Sequence, residues 1–175
     1  QEEVSLSGIE LGSFRLLPEL TLSGGYDDNI FATRTQTKSD RLLHLLPSLN
    51  IRSGWSEHSL GFKVGADIAR YDKYSSEDFE DYWLSTSGRF NFSDTFNLFG
   101  GIGYSREHEE RGSPDDQNGK EPTVFSSRSA HLGSKVKFGD LGLRFGGTYE
   151  ELDFDDVGTN FGLVINNDDR DRKLL

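Results

Sequence analysis

The most suggestive chemistry in this chain is a set of six basic residues, Arg15, Lys63, Arg89, Lys135, Lys137 and Arg144, each flanked on both sides by apolar or small residues. On an extended chain that flanking places each cation on the face opposite its neighbours. A face that gathers cations attracts anions, and rings of fixed charge in a pore select the ions that pass. A second set is acidic: four polar stretches, 27–40, 72–81, 107–121 and 150–173, hold 22 of the 30 Asp and Glu residues. Within them Asp27, Asp28, Asp153, Asp155 and Asp156 are candidate Ca²⁺ ligands, since that ion takes oxygen donors, and Asp168, Asp169 and Asp171 form a similar run. None has EF-hand spacing, so the expected role is to keep solvated loops polar. Of the histidines, His44 falls inside a strand, His58 in a turn, and His108 and His131 in or near irregular stretches. No Ser and acid gather around any of them, so neither catalysis nor a cofactor is expected.

The elements that must position these residues follow from a period of two. Leu43, Leu45, Pro47, Leu49 and Ile51 alternate with mostly polar residues, the segment 53–58 reverses the chain, and Leu60, Phe62, Val64, Ala66 and Ile68 alternate again. That is a long β-hairpin. Its strands are about twice the usual ~5–6 residues of soluble strands, and a tilted strand needs ~9–11 residues to cross a bilayer. Further strands are expected over 14–26, 82–92, 96–105, about 123–138 and 141–150, with an eighth starting near 171. Arg128 interrupts the apolar register of the sixth strand, and a β-bulge near 126–129 is expected to absorb it. Connections alternate long and short, the pattern of outer-membrane barrels with long extracellular loops and short periplasmic turns. A soluble β-sandwich has no reason to keep every long loop at one end.

Composition agrees. Only 33% of the 175 residues are hydrophobic and the formal charge is −11, yet 12% are aromatic and 20 are glycine. A disordered acidic chain lacks such aromatics, whereas a barrel needs apolar residues only at alternate strand positions. No apolar run approaches the ~20 residues of a membrane helix, and the absence of cysteine excludes disulfides and thiolate metal sites. The aromatics sort by end: Phe14, Phe62, Phe90, Phe92, Phe96 and Phe138 near the short turns, and Tyr26, Tyr82, Tyr104 and Tyr149 near the long loops. Two such belts match the two membrane–water interfaces.

The segment Gly24-Gly25-Tyr26-Asp27-Asp28-Asn29-Ile30-Phe31-Ala32-Thr33 resembles the start of the outer-membrane β-barrel porins associated with exopolysaccharide or capsule production. The stretches 104–109 and 153–157 resemble the same family less specifically. The resemblance implies no catalytic motif. Family members are about twice this length and end on an aromatic strand, which implies that these residues are the N-terminal portion of a larger barrel. An eight-stranded barrel, or one assembled from several chains, is the alternative.

The expected fold is therefore all-β: an antiparallel up-and-down transmembrane barrel, with residues 1–12 as a periplasmic lead-in and 13–175 as strands, turns and loops. Gln1-Glu2-Glu3 reads as the start of a mature chain after signal cleavage. Leu45, Leu49, Val64, Ile68, Leu84, Leu98 and Leu143 are expected to face lipid. The expected location is a bacterial outer membrane of Gram-negative type. The expected role is a porin-like conduit, serving export of an anionic exopolysaccharide or passage of small solutes. Alternatives are a structural barrel whose acidic loops bind a partner, and, third, a lipid-modifying enzyme. Outer-membrane lipid and lipopolysaccharide are the expected partners, with polysaccharide, an oligomer or an envelope complex as candidates, and no nucleic acid.

Overall fold

The computed structural model describes residues 8–114, 116 and 119–175; the greater part of the N-terminal lead-in, residues 1–7, lies outside the described residues. Seven long strands follow one another in chain order: β2 (Phe14–Asp27), β3 (Asp40–Ser53), β4 (His58–Tyr71), β5 (Phe79–Ser93), β6 (Phe96–His108), β7 (Val124–Phe138) and β8 (Leu141–Phe154). Each runs 13–15 residues, enough to cross a bilayer at a tilt. Each pairs antiparallel with the next. Short strands β1 (Ile9–Leu11) and β11 (Arg172–Leu174) sit on the outer sides of β2 and β8, giving one nine-stranded up-and-down sheet. A small hairpin, β9 (Val157–Gly158) with β10 (Val164–Ile165), lies in the last long loop.

Partners across an antiparallel ladder share a face, so the register decides which residues travel together. Leu45 pairs with Ile68, Leu49 with Val64, Val64 with Leu84, and Val136 with Leu143. With Leu98, joined to this set through Phe90, they define one apolar face running across the sheet. That face is not a core. Leu20 is 67% exposed, Ile102 60% and Phe145 61%, while the buried apolar residues among those described are Ile30, Ala69, Phe154 and Val157. A soluble domain would cover such a patch, whereas a bilayer covers it without any protein layer.

Several elements depart from the expected layout. No bulge occurs in β7: its register is continuous with β6 from Val124 to Val136 and with β8 from Phe125 to Phe138, and Arg128 stays on the apolar face between Tyr104 and Glu151. It is tolerated there because it lies at the tyrosine belt and pairs with Glu151 at 3.6 Å, within reach of water. The irregularity falls instead between Asn91 and Ser93, beside the short turn into β6. The strand expected over 82–92 is β5 and starts at Phe79, because Glu80 and Asp81 are held in it by Arg70 and His108. The strand from Leu141 continues to Phe154, which is buried against Phe125. Ile9–Leu11 of the expected lead-in pairs with β2, and the expected start of an eighth strand is β11, paired with β8 through residues 172–174.

Beyond those short pairings, residues 17–27 of β2 and 141–149 of β8 have no strand on their outer sides among the described residues. The two ends of the sheet, β1 and β11, do not meet.

Candidate functional site

The face opposite the apolar one is polar, and its two ends are built differently. Toward the short turns, Arg15, Lys63, Arg89, Lys135, Lys137 and Arg144 all fall in this register. Arg15 lies opposite Arg52, a further cation of the same face, at the last strand position before the expected turn 53–58. Lys135 lies opposite both Asn97 and Arg144. From the row Arg52–Gly61–Ser87–Gly101–His131–Thr148 down to the short turns, the polar face of β3 to β8 carries no Asp or Glu, and Glu10 of β1 extends that row beside Arg15. Among the described residues Arg15 alone of these cations has an ion-pair partner, Glu10 of β1 at 3.1 Å. The guanidinium of Arg144 instead lies over the Phe99 ring, 4.6 Å from its centroid, which orients it without neutralising it.

Bulky rings on this face rest on glycines of the neighbouring strand. Phe99 lies opposite Gly133, where a Cβ would come within 2.5 Å of the ring, and Trp83 covers Gly65, where a Cβ would come within 2.4 Å. The missing side chains let the rings lie flat along the sheet instead of projecting from it. His131, expected near irregular chain, sits in the middle of β7 opposite Gly101.

Toward the long loops the same face is crowded with paired charge. Asp67 and Asp81 lie directly opposite each other, an arrangement that like charges disfavour. Each has a histidine: His44 bonds Asp67, and the Nδ1 of His108 lies 2.8 Å from Asp81, which also accepts the His108 amide. Phe79 stacks on His108 at 3.8 Å between ring centroids and meets His44 edge-on. Ser23 lies opposite His44 in the register, with no hydrogen bond between them among the described residues. A cavity of about 490 Å³ opens beside them, bordered by Asp27, Glu77, Glu107 and Arg111.

Above this cluster the loops are tied down. Arg111 donates to both oxygens of the nearly buried Glu77, at 2.7 and 2.9 Å, and to the Gly119 carbonyl. Burial works against the Arg111 cation, but Glu77 outweighs it and raises the pKa. Arg170 pairs with Glu109 and covers the Phe154 ring. Asp40, 2% exposed, accepts the amides of Lys73, Tyr74 and Arg41. Burial pushes its carboxyl up, but the amides of Lys73, Arg41 and Tyr74 together bring it below the ordinary value.

The candidate Ca²⁺ ligands are spread over several local roles. Asp27 accepts the Asn29 amide, Asp155 pairs with Arg106, and Asp156 accepts the Asn167 amide, while Asp28 and Asp153 are exposed. No cluster of three or more His, Cys, Asp or Glu among the described residues is placed to hold a metal ion.

Comparison with curated proteins and with solved structures gave no match. One family model, described as Putative beta-barrel porin 2, matches residues 4–175. A porin family speaks for a membrane-embedded barrel and against an enzyme, in agreement with the exposed apolar face and the up-and-down sheet. With nearly the whole length matched, the chain belongs to the Putative beta-barrel porin 2 family.

Proposed function

We propose that these strands form wall of an outer-membrane conduit whose lumen, at the short-turn end, selects anions. The carrying observation is that the polar face there gathers Arg52, Lys63, Arg89, Lys135, Lys137 and Arg144 with no carboxylate partner among the described residues, while the apolar face of the same end carries no Lys or Arg. If basic residues merely favoured the membrane interface, they would occur on both faces with side chains snorkelling outward. Cations gathered on one exposed face concentrate anions from solution beside them. In this reading the short turns are periplasmic and the long loops external. The substrate is an anionic solute arriving from the periplasm, with an anionic exopolysaccharide as the largest candidate.

In a bilayer the bare edges of β2 and β8 are paired by further strands, of this polypeptide or another, because unpaired backbone groups in hydrocarbon each cost several kcal/mol. The test is reversal potential in planar bilayers under a salt gradient, with the full-length protein. Anion preference is expected, reduced or reversed by the triple substitution Lys63→Gln, Arg89→Gln and Arg144→Gln. Unchanged selectivity in that variant contradicts the proposal.

A further inference from the structure

Within the basic end, one place is shaped to hold a ligand. A cavity of about 340 Å³ on the polar face is walled by Asn50, Arg52, Lys63, Ser85 and Ser87, with Gly61 among its lining residues. Two adjacent rows of the ladder build it: Arg52–Gly61–Ser87 and, next to it, Asn50–Lys63–Ser85. Gly61 is thus the floor between an arginine and a serine. The volume lies at the small end of ligand pockets.

Apart from Leu60 and Gly61, the lining side chains are donors and neutral acceptors, with no carboxylate among them. Asn50 Oδ1 accepts Arg52 Nε at 3.3 Å, which steadies the guanidinium while leaving its two terminal nitrogens without a partner among the described residues. Lys63 has no ion pair there either. An arginine fork beside a lysine point charge, with two hydroxyls and an amide around them, suits the oxygens of one anionic group.

Gly61 supplies a separate indication. Where Phe99 and Trp83 rest on glycines, a Cβ would clash with a ring, so packing explains those glycines. At Gly61 a Cβ would lie no closer than 3.7 Å to any neighbour, ordinary van der Waals contact. Its φ is not positive either. Neither packing nor backbone conformation requires glycine there; what the missing side chain leaves is space on the floor between Arg52, Lys63 and Ser87.

The geometry points to an oxyanion-binding station at Gly61, which holds the phosphate, sulfate or carboxylate group of a solute in the lumen through Arg52 and Lys63. It rests on the reading of the polar face as a lumen and adds a discrete subsite to a diffuse charge. The experiment titrates inorganic phosphate, glucuronate and glucose into the full-length protein in nanodiscs, with glycine selectively ¹⁵N-labelled. Phosphate is expected to move the Gly61 amide resonance saturably and glucose not to move it. A response to glucuronate extends the station to anionic sugars; a response to phosphate alone restricts it to small oxyanions.

Arg52→Gln and Lys63→Gln should each weaken phosphate at least about tenfold, the loss of one charge-assisted hydrogen bond. Gly61→Leu should abolish binding by filling the floor, and Arg34→Gln in a long loop should leave it unchanged. Should the leucine variant fail to fold, the two Gln variants decide. A non-saturating shift shared equally by Gly101, Gly133 and Gly146 is general screening and overturns the station, as does undiminished binding in folded Gly61→Leu. Saturable binding in a channel with no anion preference would leave the station standing and reject the selective conduit. Anion preference without saturable binding would do the reverse.

Discussion

The two ends of one sheet face handle charge in opposite ways. At the long-loop end the polar face and the loop layer above it are held by charge pairs inside the molecule: Glu77 with Arg111, Asp81 with His108, Asp67 with His44, Glu109 with Arg170. At the short-turn end the cations other than Arg15, which pairs with Glu10, stand without a carboxylate partner among the described residues. Both ends belong to the same strands, so strand geometry does not explain the difference. A charge paired and buried holds structure together, and its removal strands the partner. A charge left exposed and unpaired contributes little to stability, so its clustering is read more naturally as recognition.

That contrast can be broken at either end. The largest effect is expected at Glu77, 3% exposed and doubly bonded by Arg111. Glu77→Ala leaves a mostly buried guanidinium without its carboxylate and should destabilise the loop layer by about 3–5 kcal/mol, measured as loss of amide protection at residues 75–78 and 109–112. Protection equal to wild type would show that the pair is ornamental. Next comes the opposite face: Val64→Arg puts a charge among Leu49 and Leu84 and should cost about 2–4 kcal/mol if it lies near the membrane midplane. Reversible unfolding into vesicles would measure it, and a cost near zero would argue that this face meets water.

Smaller effects separate packing from recognition. Gly133→Ala drives a Cβ into the Phe99 ring and should cost about 1–3 kcal/mol by overpacking. Gly61→Ala should leave the melting temperature nearly unchanged, and equal losses for the two would remove the distinction drawn between these glycines. Arg89→Gln or Lys135→Gln should change stability by no more than about 0.5 kcal/mol, while altering ion selectivity.

The least disruptive change is acid. The Asp40 carboxyl, with its pKa held down on balance by the amides of Lys73, Arg41 and Tyr74, contributes stability above its unfolded pKa of roughly 3.9. That contribution fades as pH falls through the lowered folded value. Protection factors at the Lys73 and Tyr74 amides, corrected for the intrinsic pH dependence of exchange, should therefore fall as acid protonates Asp40 and stay constant between pH 6 and 8; a loss of protection at alkaline pH would contradict the sign.

The strands are legible in the sequence because their faces differ so sharply. Phe62-Lys63-Val64 names both faces in three residues, and a ladder of such triplets leaves one register. The six cations are legible for the same reason. Arg52 is not, because its position beside Ser53 looks like the start of a turn. The loop layer is hidden more deeply: Asp81 and His108 are 27 residues apart and Glu109 and Arg170 are 61 apart, joined only once the strands are aligned. Counting carboxylates makes those loops look solvated, whereas several are buried against arginines. The misplaced bulge has a simple cause. An arginine in an apolar register reads as an error of phase, but at the water boundary a long side chain reaches its own partner.

The central claim is that the two faces divide lipid from lumen, and spin labels along β4 and β5 test it directly. Labels at Phe62, Val64 and Leu84 should be relaxed by oxygen and shielded from a polar nickel reagent, and labels at Lys63, Ser85 and Ser87 should show the reverse. Alternation of that phase along both strands in the membrane-reconstituted full-length protein is the predicted result. The opposite phase, or equal access on both faces, would contradict the account.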